Sequence, residues 1–248
     1  MQKIDIITRD GVCPSYVFRP EGHGPWPAAL MLLDGPGIRP ALFAMADRLA
    51  KSGYVVLLPD LFYRAGAYPP MDTKVVWANT DLRNAHRDTY MSTATPENTM
   101  SDMAAFLDYF ADAPEVRSGA IGVVGYCMGG RLALVAAGTY PDRVAVAASY
   151  HGGGLADDKP TSPHLLAPRM KARIYVAGAT DDSSFPDDMK ARLEQALTDA
   201  GVDHLIETYP AKHGWVPSDM PAYDAAEAEH HWRTLVPLFD DTLKADAI

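Results

Sequence analysis

One cysteine in this sequence has the surroundings of a nucleophile. Cys127 is the centre of Gly125-Tyr126-Cys127-Met128-Gly129, which lies between an apolar run (121–124) and a helical run (131–137). A sharp strand-to-helix turn with this spacing exposes the central side chain, and glycines on both sides avoid collisions. The partial positive charge of a helix N-terminus also favours a thiolate, which is the reactive form of cysteine. The pattern therefore favours a nucleophilic thiol over a buried cysteine packed between glycines.

The base and acid that a thiol nucleophile needs are expected downstream, in the order acid and then histidine. Asp181 and Asp182 follow the apolar run 173–177, and His213 follows the run 204–209. Both positions fall after predicted strand ends, where open α/β sheets place their functional groups. The order and placement predict a Cys-His-Asp arrangement, with either aspartate as the acid.

The other histidines have weaker placements. His151 follows the predicted strand 144–149 and faces the same end of the sheet, so we expect it to contact substrate or to satisfy backbone groups of its glycine-rich loop. His230 and His231 belong to the last predicted helix, and we expect them on a solvated face. No spacing of His and Cys indicates a metal site, so no metal is expected.

The elements that must position these residues alternate regularly along the chain. Short apolar runs predict strands at 3–8, 16–18, 28–33, 54–58, 120–124, 144–149, 173–177 and 204–209. Periodicity and capping residues predict helices at 41–50, 96–111, 128–139, 186–200 and 221–243. We expect Pro237 to kink or interrupt the last helix. Strands this apolar, alternating with helices, predict an open, mostly parallel, twisted sheet with helices on both faces.

Length and composition limit the class of protein. The 248 residues suit a single domain over 1–248, and the 59–94 stretch is too long for an ordinary connection, which indicates a functional loop or lid-like insertion. The net charge of −10 disfavours nucleic acid and anionic membranes as partners, and no apolar run is long enough to span a bilayer. Two cysteines form no disulfide framework and the start lacks a leader pattern, so a cytoplasmic protein with a small-molecule partner is expected.

The motif residues resemble the dienelactone hydrolase family of α/β-hydrolases, with cysteine where serine is more usual. The similarity extends from 125–130 to 58–64 and to 213–215, and so covers most of the chain. The resemblance implies an α/β-hydrolase fold and hydrolysis of esters or lactones without a cofactor. It makes Cys127 the nucleophile and His213 the base. Asp182 is then the acid, because it begins the family's Asp-x-x-x-Pro pattern.

The resemblance also suggests further site residues. Asp34 matches an acidic family residue that lies near the thiol and responds to substrate. The N–H groups of Gly35 and Met128 match an oxyanion hole, the pair of donors that stabilises negative charge on the reacting oxygen. Family members that act on anionic lactones carry an arginine where this chain has Pro217. Either Arg87 and Tyr90 replace that arginine or the substrate is neutral.

The predicted function is ester or lactone hydrolysis through a thioester on Cys127. Two other functions fit the same fold. A thiol of this kind also serves in peroxide sensing, although no second cysteine lies beside it in the sequence. A binding protein without catalysis is the other alternative, because a fold does not determine a function.

Overall fold

The computed structural model describes residues 1–244 and places eight strands in one sheet. The strands are β1 (Gln2–Thr8), β2 (Gly11–Phe18), β3 (Ala28–Leu32), β4 (Val55–Pro59), β5 (Ile121–Tyr126), β6 (Val144–Tyr150), β7 (Arg173–Ala179) and β8 (His204–Tyr209). Their order is β1-β2-β4-β3-β5-β6-β7-β8. β2 is antiparallel to both of its neighbours, and all remaining pairs are parallel. The predicted mostly parallel sheet is confirmed.

Seven α-helices occur among residues 1–244, and the five longest of them pack against the sheet. The seven are α1 (Pro40–Lys51), α2 (Thr73–Ala78), α3 (Thr80–Thr89), α4 (Pro96–Asp112), α5 (Met128–Thr139), α6 (Asp187–Asp199) and α7 (Ala225–Leu243). Every residue of β3, β4 and β5 is buried as a result. This burial explains why these strands are continuous apolar runs rather than alternating ones. The carboxyl ends of β5, β7 and β8 lie at the same end of the sheet because these strands are parallel.

The last helix differs from its prediction. It begins at Ala225 rather than near residue 221, because the Asp224 side chain caps it by accepting hydrogen bonds from two backbone N–H groups. Pro237 lies inside α7 without ending it. Proline removes one helical hydrogen bond, but the buried Leu235, Leu238 and Phe239 pack this part of the helix into the core. The packing of the apolar face keeps the helix continuous.

The 59–94 segment contains α2 and α3, neither of which was predicted. Asp72 caps the first helix and Asn79 caps the second. Only Thr73 in α2 and His86 in α3 are buried. α2 has only six residues and α3 contains few apolar ones, so neither shows the long apolar period from which a surface helix is recognised in a sequence. Among residues 1–244, no helix combines the length and apolarity needed to cross a bilayer.

Candidate active site

The turn between β5 and α5 has the geometry that its glycines predict. Cys127 has φ 54° and ψ −117°, a left-handed conformation that side chains rarely adopt. A Cβ on Gly125 would overlap the carbonyl oxygen of Gly129, and a Cβ on Gly129 would overlap that of Leu32. Only glycine fits at both positions. The turn holds the Cys127 side chain at the carboxyl end of the sheet and at the N-terminus of α5.

A chain of hydrogen bonds connects the three side chains that sequence reasoning selected. His213 Nε2 lies 3.2 Å from Cys127 Sγ, and His213 Nδ1 lies 2.8 Å from Asp182 Oδ2. Ser184 donates to the other carboxylate oxygen, Oδ1, from its hydroxyl at 2.6 Å and from its backbone N–H at 2.9 Å. Asp181 is exposed instead, with its carboxylate 3.5 Å from Lys212 Nζ. Of the two candidate acids, Asp182 is therefore the one that contacts the imidazole.

The pKa values of Asp182 and His213 are shifted in opposite directions. Burial raises the pKa of Asp182, but hydrogen bonds from His213 and Ser184 outweigh it and lower that pKa to about 2. Burial lowers the pKa of His213, but its hydrogen bonds with Asp182 and Cys127 outweigh it and raise that pKa to about 10. At neutral pH Asp182 is ionised and His213 is protonated. The imidazolium beside the sulfur holds a proton for a leaving group.

The two predicted oxyanion-hole donors lie on adjacent backbone segments. Gly35 belongs to a turn after β3 that the Gly37 N–H closes by donating to the Asp34 carbonyl at 3.1 Å. The carbonyls that precede this turn pack against Gly129 in the first turn of α5. Within residues 1–244, neither the Gly35 N–H nor the Met128 N–H donates to any acceptor. Both donors are therefore available to a ligand.

The Asp34 carboxylate is paired with an arginine. Arg39 donates to its two oxygens at 2.5 and 2.9 Å, and donates to the two oxygens of Asp219 at 2.7 and 3.1 Å. The side chains of Arg39 and Asp34 are 1% and 3% exposed. Both Asp34 carboxylate oxygens therefore accept hydrogen bonds from Arg39, and among residues 1–244 no hydrogen bond joins Asp34 to the Cys127 thiol. A substrate contact by Asp34 stays a prediction.

His151 supports the backbone of the turn. It has φ 42° and is buried, and its Nδ1 accepts a hydrogen bond from the Cys127 N–H at 3.0 Å. Burial and the neighbouring His213 hold the pKa of His151 well below its usual range, so the ring is neutral and able to accept. The ring also packs against Trp215, with their centroids 5.0 Å apart. Substrate contact by His151 stays a prediction.

Two further histidines are buried: His231, which was expected on a solvated face, and His86, to which the sequence pattern assigns no role. His231 is wholly buried, its Nε2 lies 2.9 Å from the Tyr126 hydroxyl, and burial lowers its pKa to about 3. The expectation of a solvated face is wrong for this residue. The signal was available, because His231 continues the three- and four-residue spacing of the buried Ala228, Leu235 and Leu238. His86 lies in a segment without periodicity, and only the structure shows it against Gly35.

Position 217, where the resembling hydrolases of anionic lactones carry arginine, offers no side-chain donor in this chain. Pro217 is buried, and its carbonyl accepts a hydrogen bond from the Met220 N–H. Arg87 is exposed and pairs with Asp88 at 3.1 Å. Tyr90 packs against the rings of Tyr68 and His86. In the part of the chain that the structure describes, no cluster of three His, Cys, Asp or Glu side chains could hold a metal ion.

Known proteins resemble this chain in sequence and in fold. The model of the dienelactone hydrolase family matches residues 13–243. A candidate carboxymethylenebutenolidase from Synechocystis is 26% identical, with 92% of each chain covered. A Bradyrhizobium protein named as a probable 2-oxo-3-(5-oxofuran-2-ylidene)propanoate lactonase is 30% identical over 96% of this chain and 93% of its own. A crystal structure from Klebsiella pneumoniae, described as a candidate dienelactone hydrolase, superimposes with a TM-score of 0.83 at 21% identity, covering 96% of this chain and 97% of the other.

Proposed function

This chain belongs to the dienelactone hydrolase family, a family of ester and lactone hydrolases, and we propose that it cleaves its substrate through a thioester on Cys127. The observation that carries the proposal is the chain of contacts from Cys127 Sγ to His213 and on to Asp182, at 3.2 and 2.8 Å. A nucleophile, a base and an orienting acid within hydrogen-bond reach are the parts that acyl transfer requires.

In the first half of the reaction, the substrate carbonyl oxygen binds between the Gly35 and Met128 N–H groups. The Cys127 thiolate attacks the carbonyl carbon, and the oxygen becomes negatively charged while the two N–H groups stabilise it. The intermediate collapses by breaking the bond to the ester or ring oxygen. That oxygen takes the proton from His213 Nε2, which leaves an acyl thioester and a neutral imidazole.

In the second half, His213 acts as a base. Its Nε2 takes a proton from a water molecule, whose oxygen attacks the thioester carbon. The carbon–sulfur bond then breaks, which releases the carboxylic acid and restores the thiolate and the imidazolium. Asp182 stabilises the imidazolium each time it forms and keeps Nδ1 as a donor. The raised pKa of His213 fits its role as proton donor in the first half, and the low pKa of Asp182 keeps its carboxylate ionised beside the imidazolium.

We further infer that the preferred substrates carry no carboxylate near the reacting carbonyl. Proline at position 217 has no donor for a carboxylate. Arg39 already uses its guanidinium on Asp34, Asp219 and the Gly37 carbonyl. The test compares a dienelactone carboxylate with its methyl ester, and follows opening of the lactone ring rather than loss of the methyl group. The methyl ester should show the higher kcat/KM, and a higher value for the free carboxylate would contradict this inference.

The nucleophile is tested with an ester and lactone panel on the wild type, Cys127→Ala, Cys127→Ser and His213→Gln. We expect no turnover by Cys127→Ala or His213→Gln and, because serine is the more usual nucleophile in this motif, reduced turnover by Cys127→Ser. The circular dichroism spectra should be unchanged among all four proteins. Rapid acid quenching followed by peptide mass mapping should show the acyl group on Cys127. Turnover by Cys127→Ala at the wild-type rate would contradict the proposal. Oxidation of the thiol by peroxide without turnover of any ester would favour a redox function instead.

A further inference from the structure

We propose that the 59–94 segment holds the oxyanion loop (residues 34–39) in its working conformation, with His86 as the positioning residue. The inference rests on the proposed function, because it concerns the loop that carries the Gly35 donor. It assigns a role to a segment whose length a simple connection does not require. His86 acts through Gly35 and is not itself assigned a contact with substrate.

The contact between His86 and the loop is buried and specific. His86 Nε2 donates to the Gly35 carbonyl oxygen at 2.8 Å, and 7% of the residue is exposed. Its ring packs edge-on against Phe62, with the centroids 5.8 Å apart, and lies 5.1 Å from the ring of Tyr90. These aromatic neighbours restrict how the imidazole turns. The hydrogen bond is therefore made by a side chain whose orientation is already fixed.

A second side chain of the segment holds the other end of the loop. The Tyr68 hydroxyl accepts from the Ile38 N–H at 2.9 Å and donates to Asp60 Oδ1 at 2.9 Å. The segment also packs directly on Gly35, where an added Cβ would lie 3.3 Å from the side chains of Met91 and Trp77. The loop is thus in contact with the segment through both hydrogen bonds and packing.

Glycine makes such support necessary. Gly35 has no side chain to restrict its φ and ψ, so its two flanking peptide groups reorient more easily than those of other residues. Anchoring the carbonyl on one side of its Cα restricts the rotation that would turn the N–H on the other side away from the substrate oxygen. Stabilisation of an oxyanion depends on donors that are aimed before the reaction begins. Loss of the anchor should therefore reduce the transition-state interaction more than substrate binding.

The test compares His86→Phe, His86→Gln and Asp88→Asn with the wild type. Phenylalanine keeps a ring but has no donor, whereas the glutamine amide can replace the Nε2 donor. Asp88 lies on the same helix and is exposed, so Asp88→Asn is the matched control for changes in α3. Each protein is measured for kcat and KM on an activated ester and for inhibition by a substrate-like aldehyde. The rate of Cys127 alkylation by iodoacetamide is measured in parallel, because alkylation needs the thiolate but no oxyanion hole.

We expect His86→Phe to lower kcat by about 10- to 100-fold, part of what loss of a whole donor costs. KM and the alkylation rate should change little, aldehyde inhibition should weaken in parallel with kcat, and His86→Gln should recover most of the loss. An unchanged kcat in His86→Phe overturns the inference, as does an equal fall in kcat and alkylation, which would indicate general damage to the site. Absence of ester turnover in the wild type would instead overturn the proposed function, and this inference with it.

Discussion

Replacing Asp182 with asparagine tests how strongly the folded protein stabilises this carboxylate. In the folded state the pKa of Asp182 is about 2, against a usual value of 3.8, because hydrogen bonds from His213 and Ser184 outweigh the cost of burial. The difference between these two pKa values corresponds to about 2 kcal/mol of stability. The side chain is 4% exposed, so solvent screens these contacts little. Asparagine lacks the charge and therefore lacks this contribution.

The direction of the pH effect on stability follows from the two pKa values of Asp182. Because the folded pKa lies below the unfolded one, the contribution is complete above the unfolded value of 3.8 and is lost as the pH falls through about 2. It amounts to about 2 kcal/mol near pH 5 and about 1 kcal/mol near pH 3. The stability difference between the wild type and Asp182→Asn should therefore narrow by about 1 kcal/mol over this interval. In the wild type His213 adds no slope here, since it is protonated in both the folded and unfolded states.

Urea unfolding followed by tryptophan fluorescence at the two pH values measures this difference. Asp181→Asn is the matched control, because Asp181 is the adjacent aspartate, is exposed and does not contact His213. Its left-handed backbone, with φ 53°, also tolerates asparagine. The control should differ from the wild type by the same small amount at both pH values. A constant difference for Asp182→Asn would refute the view that its carboxylate is held by the imidazolium.

Gly125→Ala should lower the free energy of unfolding by about 3 kcal/mol or more, because the added Cβ would lie 2.7 Å from the Gly130 nitrogen and would overlap the Gly129 carbonyl. An unchanged midpoint of urea unfolding would contradict the packing argument. Arg39→Met leaves the buried Asp34 carboxylate without its main partner and should lower the free energy of unfolding by about 3–5 kcal/mol. Adding Asp34→Asn to this variant should restore part of the lost stability, because the unpaired charge is then removed. Cys13 should remain unmodified by iodoacetamide at neutral pH while the other cysteine reacts, because burial raises the pKa of the Cys13 thiol to about 12. Peptide mass mapping checks this, and early modification of Cys13 would contradict it.

The amino-acid sequence by itself determined most of the strands and helices and the turn that presents Cys127. Glycine spacing around Cys127, apolar runs and helical periods are local patterns, and each limits the conformations of residues close together in the chain. Parallel strands bring their carboxyl ends to one edge, so the positions of Asp182 and His213 at predicted strand ends were enough to expect them together. α2 is too short and α3 too polar to show a clear apolar period, and these helices were missed for that reason.

Only the tertiary structure decided which partners the polar side chains take. The choice of Asp182 over Asp181 depends on the direction of two adjacent side chains, which composition and spacing do not specify. Arg39 meets Asp219 across 180 residues, and His86 meets Gly35 across 51. Such contacts depend on how separate elements pack around the site. A polar group requires a partner when it is buried. Because burial depends on the whole fold, a local sequence pattern cannot specify these contacts.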